Sequence, residues 1–482
     1  MVEGGPGSSS TGMEFFMEEL HSKLEGTTNV YTMDHRGSGR STFLKCAGSS
    51  NTSELGDEII LTEIPACAQE LEKKYGDLAS FSITSATTDL VKIMSKYSNG
   101  ASTIVYGAGY GTVVVERLMH LDPPGVTGYV LDSITTTSGG IKNYYLSELD
   151  TNAGEVGDHF LDLCKTDEFC SSHFESVSLR SMVQAVIKTF DTKPKSKCAA
   201  LMSTVKNDEP NVSNEPPSFT IRRFLGQLMG DSIQRTFIAP VVYRLHRCES
   251  EDISVLTNFI ERINLFRSRD INQENAYWSS ALYYLILYSE MWEIPTPSKS
   301  EMLERFKSVR MSGSGDYWLS AHYCAFSKDK SDPCAELDVG NYKAHGIIYE
   351  RDEYWNKSAT IPNQASVLLL NGKLDPVTPN KYAKYLLDAL QGDKKELISF
   401  DYAASGAVAS AYLDELDETK GTCGVELLAS YVKNKGDLKR LDKSCTTQMP
   451  EFNLTVPTAH LHSYFRTTDA FDGDYDDTLA QP

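Results

Sequence analysis

Five short segments of this 482-residue chain carry residue types that could perform chemistry. The most informative is Tyr106-Gly107-Ala108-Gly109-Tyr110-Gly111-Thr112, which lies between a strand pattern and a helix pattern. Small residues at Gly107 and Gly111 suit the tight strand-to-helix turn that displays a nucleophilic serine. The central position is Gly109, which has no side chain that could attack. The alternative interpretation is a glycine turn for phosphate, but the dinucleotide spacing and acidic ribose partner are unconvincing.

Two segments near the N-terminus could complete such a site. Gly4-Gly5-Pro6-Gly7-Ser8-Ser9 could present backbone N–H groups to an oxyanion, although a flexible terminus fits the pattern equally well. We expect Gly5 to supply one donor and Tyr110, directly after the turn centre, to supply the other. The polar turn from Asp34 to Ser41 (Asp-His-Arg-Gly-Ser-Gly-Arg-Ser) could brace these loops, or could be a loop without chemistry.

Two polar loops follow strand patterns in the second half of the chain. Asp375 lies in Asn371-Gly372-Lys373-Leu374-Asp375-Pro376, where a carboxylate could orient a histidine. Many Asp-Pro turns have no catalytic role, so this loop is weak evidence alone. Ser405 lies in Ala403-Ala404-Ser405-Gly406, a pattern in which a triad histidine is often presented.

Alternating strand and helix patterns predict the scaffold, a mostly parallel α/β sheet flanked by helices. The predicted strands are residues 29–34, 102–106, 127–131, 365–370 and 396–400, and the predicted helices include 65–75, 87–97, 112–121 and 276–288. We expect the α/β core in residues 1–140 and 356–466, with a helical cap inserted at 141–355. Residues 467–482 are acidic and poor in large apolar groups, which predicts a loose tail.

Composition excludes several classes of function. The chain has 46 Lys and Arg against 66 Asp and Glu, a net charge of −20. Nucleic-acid binding needs a basic surface, so we expect no nucleic-acid partner. No apolar run reaches the roughly 18 residues of a membrane span, so we expect no membrane partner. The ten cysteines form no CxxC pair, and we expect no metal site and no cofactor.

The cysteines and four glycosylation sequons instead favour an oxidising, extracellular compartment. Short intervening loops predict the disulfides Cys46–Cys67, Cys324–Cys334 and Cys423–Cys445. The other four cysteines can be divided in more than one way, of which Cys164–Cys170 with Cys198–Cys248 is one. The sequons are at Asn51, Asn211, Asn356 and Asn453. The first twelve residues have no apolar stretch typical of a signal peptide.

The order of the five segments resembles the secreted prolyl- and tripeptidyl-aminopeptidases, serine hydrolases of the α/β-hydrolase superfamily. The resemblance covers roughly residues 2–140 and 360–450. The family's His-Gly-Gly-Pro-Gly loop is matched except that Glu3 replaces the histidine, and its Asp-x-Arg-Gly-x-Gly-x-Ser turn is matched fully. The nucleophile turn matches except at Gly109. Asp375 matches the family's acid, and 30 residues later Ser405 stands in place of the histidine.

The resemblance implies an α/β-hydrolase fold that has lost its nucleophile and base. The favoured hypothesis is therefore a non-catalytic homologue that keeps a pocket for a peptide or partner protein. The alternatives are an active serine-type exopeptidase with a rearranged nucleophile, and a defective gene product. Tyr110 and Thr112 are not expected to replace the serine, nor are His460 and His462 expected to replace the base.

The family also places strands and a leader peptide before its oxyanion loop, which here begins at residue 4. The resemblance therefore implies that N-terminal strands and a signal peptide are missing from this chain. An open sheet edge should then make the chain poorly soluble. Peptides with a free N-terminus are the substrates that the resemblance implies for an active relative.

Overall fold

A parallel four-stranded sheet positions the candidate site, in agreement with the predicted α/β class. The computed structural model describes residues 1–46, 59–98, 102–139, 144–206, 215–267 and 278–479. The strands are β1 (Thr103–Ala108), β2 (Val126–Asp132), β3 (Ser366–Gly372) and β4 (Lys395–Phe400), in that spatial order. Each begins within one residue of its predicted start. The register aligns Ala108 with Asp132 and Asp132 with Leu370, so the carboxyl ends share one edge.

Helices make up most of the remaining regular structure. In the first half of the chain they are α1 (Glu14–Lys23), α2 (Ile64–Tyr75), α3 (Ile83–Tyr97), α4 (Tyr110–Leu121), α5 (Leu149–Leu163), α6 (Glu168–His173), α7 (Leu179–Thr192), α8 (Lys197–Met202) and α9 (Pro217–Leu228). The later helices are α10 (Ile238–Arg247), α11 (Ser250–Arg267), α12 (Ser280–Glu290), α13 (Lys299–Ser308), α14 (Leu319–Ser327), α15 (Asp332–Leu337), α16 (Asn380–Ala389), α17 (Ala407–Ser410), α18 (Cys423–Lys433) and α19 (Thr458–His460).

The strands of the sheet differ in burial: β3 is buried along its whole length, whereas β1 is partly exposed at its ends. Every residue of β3 is buried, which is typical of a central parallel strand. Tyr106 of β1 and Leu368 of β3 belong to an apolar cluster that also contains Leu428 of α18. The residues at both ends of β1 are only half-buried. β1 is therefore an edge of the described sheet whose helical cover is incomplete.

The helix predictions hold, with differences at the starts. α3 begins at Ile83 rather than residue 87, because the Ser82 hydroxyl accepts the Ser85 N–H and caps the helix earlier. α4 begins at Tyr110 rather than Thr112, directly after Gly109. α12 begins at Ser280 rather than residue 276, because the Ser279 side chain accepts the Leu282 N–H and caps the helix there; residues 276 and 277 lie outside the described residues.

The predicted strand at residues 29–34 is wrong. These residues have no regular secondary structure, and Tyr31 is 48% exposed. A strand needs a neighbour whose backbone completes its ladder. Here the described backbone contact is a single hydrogen bond, from the Met1 nitrogen to the Tyr31 carbonyl oxygen at 2.7 Å. An apolar pattern alone did not reveal that the neighbour is missing.

The chain divides into two compact units, with limits that differ from the predicted domains. The unit that contains the sheet comprises Met1–Glu148, Asn272–Met302 and Tyr317–Pro450. The other comprises Leu149–Ile271, Leu303–Asp316 and Glu451–Pro482. Residues 144–355 contain no strand in their described parts. However, residues 272–302 and 317–355, which were assigned to the cap, belong to the sheet unit.

The predicted loose tail is wrong for residues 467–479. Thr467 and Phe471 are buried, and Phe471 is only 1% exposed. The buried guanidinium of Arg244 donates to the carbonyl oxygens of Ala470 at 2.7 Å and Gly473 at 2.7 Å. A buried charge needs such partners, so the tail backbone is held inside the second unit despite its acidic composition. Residues 480–482 lie outside the described residues.

All five predicted disulfides are present. Their Cα–Cα distances run from 5.1 to 6.1 Å, within the range that a disulfide spans. The four cysteines whose pairing the sequence left open form the disulfides Cys164–Cys170 and Cys198–Cys248. Among the described helices, none combines the length and apolar character needed to cross a membrane.

Candidate functional site

Gly109 occupies the sharp turn between β1 and α4. Its φ of 51° and ψ of −121° lie in a region that L-residues adopt only under strain. The Gly109 N–H donates to the carbonyl oxygen of Asp132 at 2.9 Å, and its own carbonyl accepts the Thr112 N–H at 2.9 Å. This is the strained strand–turn–helix geometry that displays a nucleophile, with a glycine at its centre.

The three glycines of this turn have different steric requirements. A Cβ at Gly107 would lie 2.4 Å from the Gly111 carbonyl oxygen, and a Cβ at Gly111 would lie 2.6 Å from the Val2 carbonyl oxygen. The flanking glycines are therefore required by close backbone approach. A Cβ at Gly109 would meet only the Cα of Gly4, at 3.8 Å. Packing thus leaves room for a side chain at residue 109.

The hydroxyl groups nearest to Gly109 in sequence, those of Tyr110 and Thr112, are buried. The Thr112 hydroxyl is fully buried and donates to the Gly109 carbonyl at 2.6 Å. The Tyr110 ring is buried edge-on against His35, with ring centroids 6.1 Å apart. Burial raises the pKa of the Tyr110 phenol, so it stays protonated. Burial lowers the pKa of His35 to about 4, which keeps this imidazole neutral at physiological pH.

The structure brings Asp375 and Ser405 into direct contact. Asp375 is fully buried and accepts the N–H groups of Val377 at 2.9 Å and Thr378 at 2.8 Å. The Ser405 hydroxyl donates to Asp375 Oδ1 at 2.5 Å. Burial raises the pKa of Asp375, while the hydrogen bonds from Ser405 and Thr378 oppose that shift. A serine hydroxyl from the following loop therefore satisfies this buried carboxylate.

The end of β2 connects this pair with the glycine turn. The Asp132 carbonyl accepts the Gly109 N–H, and the Ser133 N–H donates to the Leu370 carbonyl of β3 at 3.0 Å. The Ser133 hydroxyl also accepts the Gly406 N–H at 2.7 Å. Gly109, Asp375 and Ser405 are thus all placed on the loops at the carboxyl edge of the sheet.

A second buried carboxylate at this edge was not predicted. Asp132 accepts the Tyr106 hydroxyl at 2.8 Å and the Val408 N–H at 3.0 Å. Burial raises its pKa to about 6, the two hydrogen bonds oppose this, and Asp375 adds a smaller upward contribution. Asp132 therefore anchors α17, directly after Ser405. The signal was an aspartate ending the apolar strand pattern of β2, a position where parallel sheets commonly carry functional groups.

The predicted oxyanion loop lies beside the turn. A Cβ at Gly4 would lie 3.0 Å from the Ala108 carbonyl oxygen, which shows how closely the two backbones approach. Gly5 has a φ of 58°, and a Cβ there would lie 3.4 Å from the Trp278 ring. The Glu3 carboxylate, at the histidine position of the resembled motif, accepts the Gly4 N–H at 2.9 Å.

Asp34 fixes this loop to the polar turn. It accepts the Ser10 N–H at 2.7 Å and the Ser9 hydroxyl at 3.2 Å from one segment, and the Arg40 N–H at 2.8 Å from the other. Burial opposes ionisation, but the amides of Ser10 and Arg40 outweigh it and lower the pKa of Asp34. A Cβ at Gly39 would lie 2.3 Å from Asp34 Cγ, so only glycine fits. Through these contacts Asp34 holds the segment after the glycine loop against the polar turn, as predicted for a turn that supports the loops.

Buried charges hold α4 behind the turn, and sequence patterns gave no sign of them. Arg117 pairs with Glu290 at 3.0 Å and with Asp352 at 2.9 Å. The Tyr349 hydroxyl donates to the second oxygen of Glu290 at 2.8 Å. Burial raises the pKa of Glu116, on the same helix, to about 7, against hydrogen bonds from Ser138 and Thr136. Such satisfied networks fix the orientation of a helix.

The two C-terminal histidines lie in the unit that does not contain the sheet. His460 and His462 both belong to the second unit, where the His460 ring packs against Phe237 with centroids 5.9 Å apart. Within the described ranges, no group of three His, Cys, Asp or Glu side chains is arranged to hold a metal ion.

Comparisons with known proteins do not assign the chain to a family. No protein-family model matches the chain. No curated protein matches it in sequence. Among solved structures, it is similar to a serine hydrolase from the polyaromatic hydrocarbon-degrading bacterium Cycloclasticus zankles, with 12% identity over 90% of this chain and 89% of that chain. The TM-score is 0.31, which is too low to assign a shared fold.

Proposed function

We propose that this protein is a non-catalytic homologue of the secreted serine aminopeptidases, with an α/β-hydrolase fold and a retained pocket for a peptide or partner protein. The observation that carries the proposal is the backbone of Gly109. It keeps the strained geometry of a nucleophile turn and has space for a side chain, yet bears none. Ser405 supports the same conclusion, because its hydroxyl occupies Asp375 where the base would stand.

The loss of both groups removes the chemical step. In a triad the histidine takes the serine proton while the aspartate orients the histidine. Removing the serine or the histidine alone costs about a million-fold in a well-studied serine protease. The N–H groups of Gly5 and Tyr110 could still stabilise an oxyanion, but only after something else had generated one.

The retained pocket is proposed at the carboxyl edge of the sheet, beside the glycine loop. Trp278, which is half-buried, lies next to Gly5 and stacks at a tilt on Tyr283, with centroids 5.2 Å apart. Aromatic surfaces of this kind suit apolar side chains or proline. The net charge of −20 favours ligands with a positive group, such as a peptide with a free α-ammonium.

Secretion is part of the proposal. Five disulfides fit an oxidising compartment. Asn453 is exposed and could carry a glycan, whereas Asn356 is half-buried. The sequons at Asn51 and Asn211 lie outside the described residues. Expression in a secreting host, followed by mass spectrometry after glycosidase treatment, tests this part, and the absence of any glycan at Asn453 would count against it.

The test uses Ala-Ala-Pro-p-nitroanilide, which reports binding and hydrolysis together. Titration should change the tryptophan fluorescence in a saturable way without release of p-nitroaniline. The Trp278→Phe variant should lose most of the fluorescence change, because Trp278 is the tryptophan beside Gly5, where the pocket is proposed. Release of p-nitroaniline in proportion to protein concentration would refute the loss of catalysis. No saturable change up to millimolar peptide would refute the peptide pocket.

One contact favours the alternative of a rearranged nucleophile. Ser405 is exposed and its hydroxyl donates to a buried carboxylate whose pKa is raised. The carboxylate could act as a base toward this hydroxyl. A fluorophosphonate label that is lost in Ser405→Ala but kept in Gly109→Ala would establish this alternative. Absence of label on the unmodified protein supports the non-catalytic assignment.

A further inference from the structure

The glycine loop beside the candidate site carries a carboxylate of its own. Glu3 directly precedes the loop, and its Oε1 oxygen accepts the Gly4 N–H at 2.9 Å. A Cβ at residue 109 would lie 3.8 Å from the Gly4 Cα. Glu3 Oε1 is therefore within about 8 Å of the place where a side chain at residue 109 would begin. A glutamate side chain carries a full negative charge at neutral pH, so the loop places this charge beside the candidate site.

The charge of Glu3 also acts on the carboxyl half of β1. Burial raises the pKa of the Tyr106 phenol, and the carboxylates of Asp132 and Glu3 both add to this shift. Asp132 accepts the hydrogen bond of this phenol at 2.8 Å, so it is in direct contact. Glu3 reaches the same phenol from the glycine loop. The carboxylates of Glu3 and Asp132 therefore act on the same part of the sheet, next to the strand-to-helix turn at Gly109.

The other two carboxylates of this edge are held by neutral groups. Asp132 and Asp375 accept hydrogen bonds from hydroxyl and backbone N–H groups, which carry no charge. Two cations on adjoining loops, Arg40 and Lys373, each form an ion pair with a different acidic residue. The two buried carboxylates of this edge thus add to the charge of Glu3 instead of cancelling it.

A carboxylate in this position changes what the glycine loop can hold. Backbone N–H groups of such a loop stabilise an anion because their dipoles point at it. Here the Gly4 N–H is already bonded to Glu3, whose charge repels a second anion. Two unit charges about 8 Å apart change an affinity by roughly 30-fold at an effective dielectric constant near 20, and by about twofold in bulk water. Because Glu3 is half-buried, we expect an effect of about tenfold.

We propose that Glu3 determines the ligand specificity of the pocket beside Gly109: it selects peptides with a positively charged α-ammonium group and excludes anions. This inference rests on the proposed function, because it assigns the ligand preference of that peptide pocket to one residue. The net charge of −20 attracts all cations at long range and is screened by salt. Glu3 acts at short range, so it distinguishes two forms of one peptide that differ only in the charge of the N-terminus.

Three forms of Ala-Ala-Pro-amide separate this charge from the rest of the ligand. The free, N-acetylated and N-succinylated peptides have charges of +1, 0 and −1 at about pH 6.5. Isothermal titration calorimetry should show about tenfold weaker binding of the acetylated form than of the free form, and still weaker binding of the succinylated form. Glu3→Gln should reduce the difference to about twofold or less, since the amide oxygen can still accept the Gly4 N–H. The matched control Glu336→Gln, at an exposed residue of α15, removes one charge elsewhere and should keep the difference.

Two further measurements guard against a variant that does not fold. Glu3→Asp keeps the charge and should keep the preference for the free peptide, and circular dichroism checks the fold of each variant. In the unmodified protein, the free peptide should slow hydrogen exchange at the Gly4 and Gly5 amides more than the acetylated peptide does.

The outcomes distinguish this inference from the pocket itself. Equal binding of the three peptides, a preference that survives in Glu3→Gln, or equal exchange at Gly4 with the free and acetylated peptides would overturn the role of Glu3 and leave the peptide pocket standing. No binding of any of the three peptides up to about 10 mM would overturn both the role of Glu3 and the pocket.

Discussion

Restoring the two missing groups is the sharpest test of the candidate site. The double variant Gly109→Ser with Ser405→His should gain a fluorophosphonate label at residue 109 and slow hydrolysis of an aminoacyl fluorogenic ester. A Cβ at residue 109 meets nothing closer than 3.8 Å. Residue 405 is exposed, and its hydroxyl already lies 2.5 Å from Asp375 Oδ1. An imidazole placed there would have its orienting carboxylate in reach.

The expected magnitudes follow from the geometry and from the way a triad works. A residue with a side chain at a φ of 51° costs on the order of 1–2 kcal/mol, so the variant should melt a few degrees lower but remain folded. General-base catalysis contributes roughly 10²- to 10⁴-fold. The double variant should therefore exceed Gly109→Ser by at least about 10²-fold in ester hydrolysis. Its hydrolysis rate should stay far below that of an evolved enzyme, because a million-fold acceleration requires all groups of the site to be correctly positioned.

The matched control is Gly109→Ala with Ser405→His. It carries the same backbone strain and the same histidine but no hydroxyl, so it should melt like the double variant and show no label. Peptide mapping by mass spectrometry locates the label. Hydrolysis by the unmodified protein at the rate of the double variant would refute the loss of catalysis. A folded double variant without label would show that the turn, Asp375 and residue 405 do not form one site.

Three other predictions concern stability. First, Gly107→Ala should destabilise the protein by about 2–3 kcal/mol or prevent folding, because its Cβ would lie 2.4 Å from a backbone oxygen. Gly109→Ala should cost less despite its positive φ, and a larger melting-temperature loss for Gly109→Ala would contradict this ranking. Second, the pKa of Asp132 is raised to about 6 from an unfolded value near 3.9, so its neutral form stabilises the fold below pH ~4 and this contribution is lost as pH rises through 6. Asp132→Asn should therefore remove up to about 3 kcal/mol of the pH dependence of the unfolding free energy between pH 4 and 6, measured by urea unfolding, and an unchanged profile would contradict the assignment. Third, loss of the Cys198–Cys248 disulfide, with a separation of 50 residues, should cost about 4 kcal/mol against about 2 for Cys164–Cys170, with a separation of 6. Alanine pairs at each site, compared by denaturant unfolding, check the order.

The pH experiment needs its own controls, since other buried groups titrate nearby. Glu116, whose pKa burial raises to about 7, contributes with the same sign as Asp132. His35, whose pKa burial lowers to about 4, contributes with the opposite sign, because protonation below its unfolded pKa favours the unfolded chain. The comparison with Asp132→Asn isolates one carboxylate. The amide oxygen of asparagine can replace the single oxygen that accepts both Tyr106 and Val408.

Local patterns were sufficient for the four strands of the sheet and for the turn at Gly109. β-branched and apolar runs predicted the starts of all four strands within one residue, because a buried parallel strand has a distinctive composition. The glycine at 109 was predicted at a strand-to-helix turn because the motif itself requires that turn. Short separations predicted three disulfides, since a short loop leaves few other partners.

Other features depended on contacts between distant parts of the chain. The strand predicted at 29–34 failed because no backbone in the described ranges completes its ladder, and the tail at 467–479 is ordered because Arg244, more than 220 residues earlier, needs buried acceptors. Asp132 and the Arg117–Glu290 pair emerged only when burial could be measured, because a carboxylate in a sequence carries no sign of its environment. The sequence alone therefore determined which chemical groups are available, including the glycine at 109 and the serine at 405. The tertiary structure decided that Ser405 satisfies Asp375 and that Asp132 is buried, because hydrogen bonding and exposure are set by what packs against a residue.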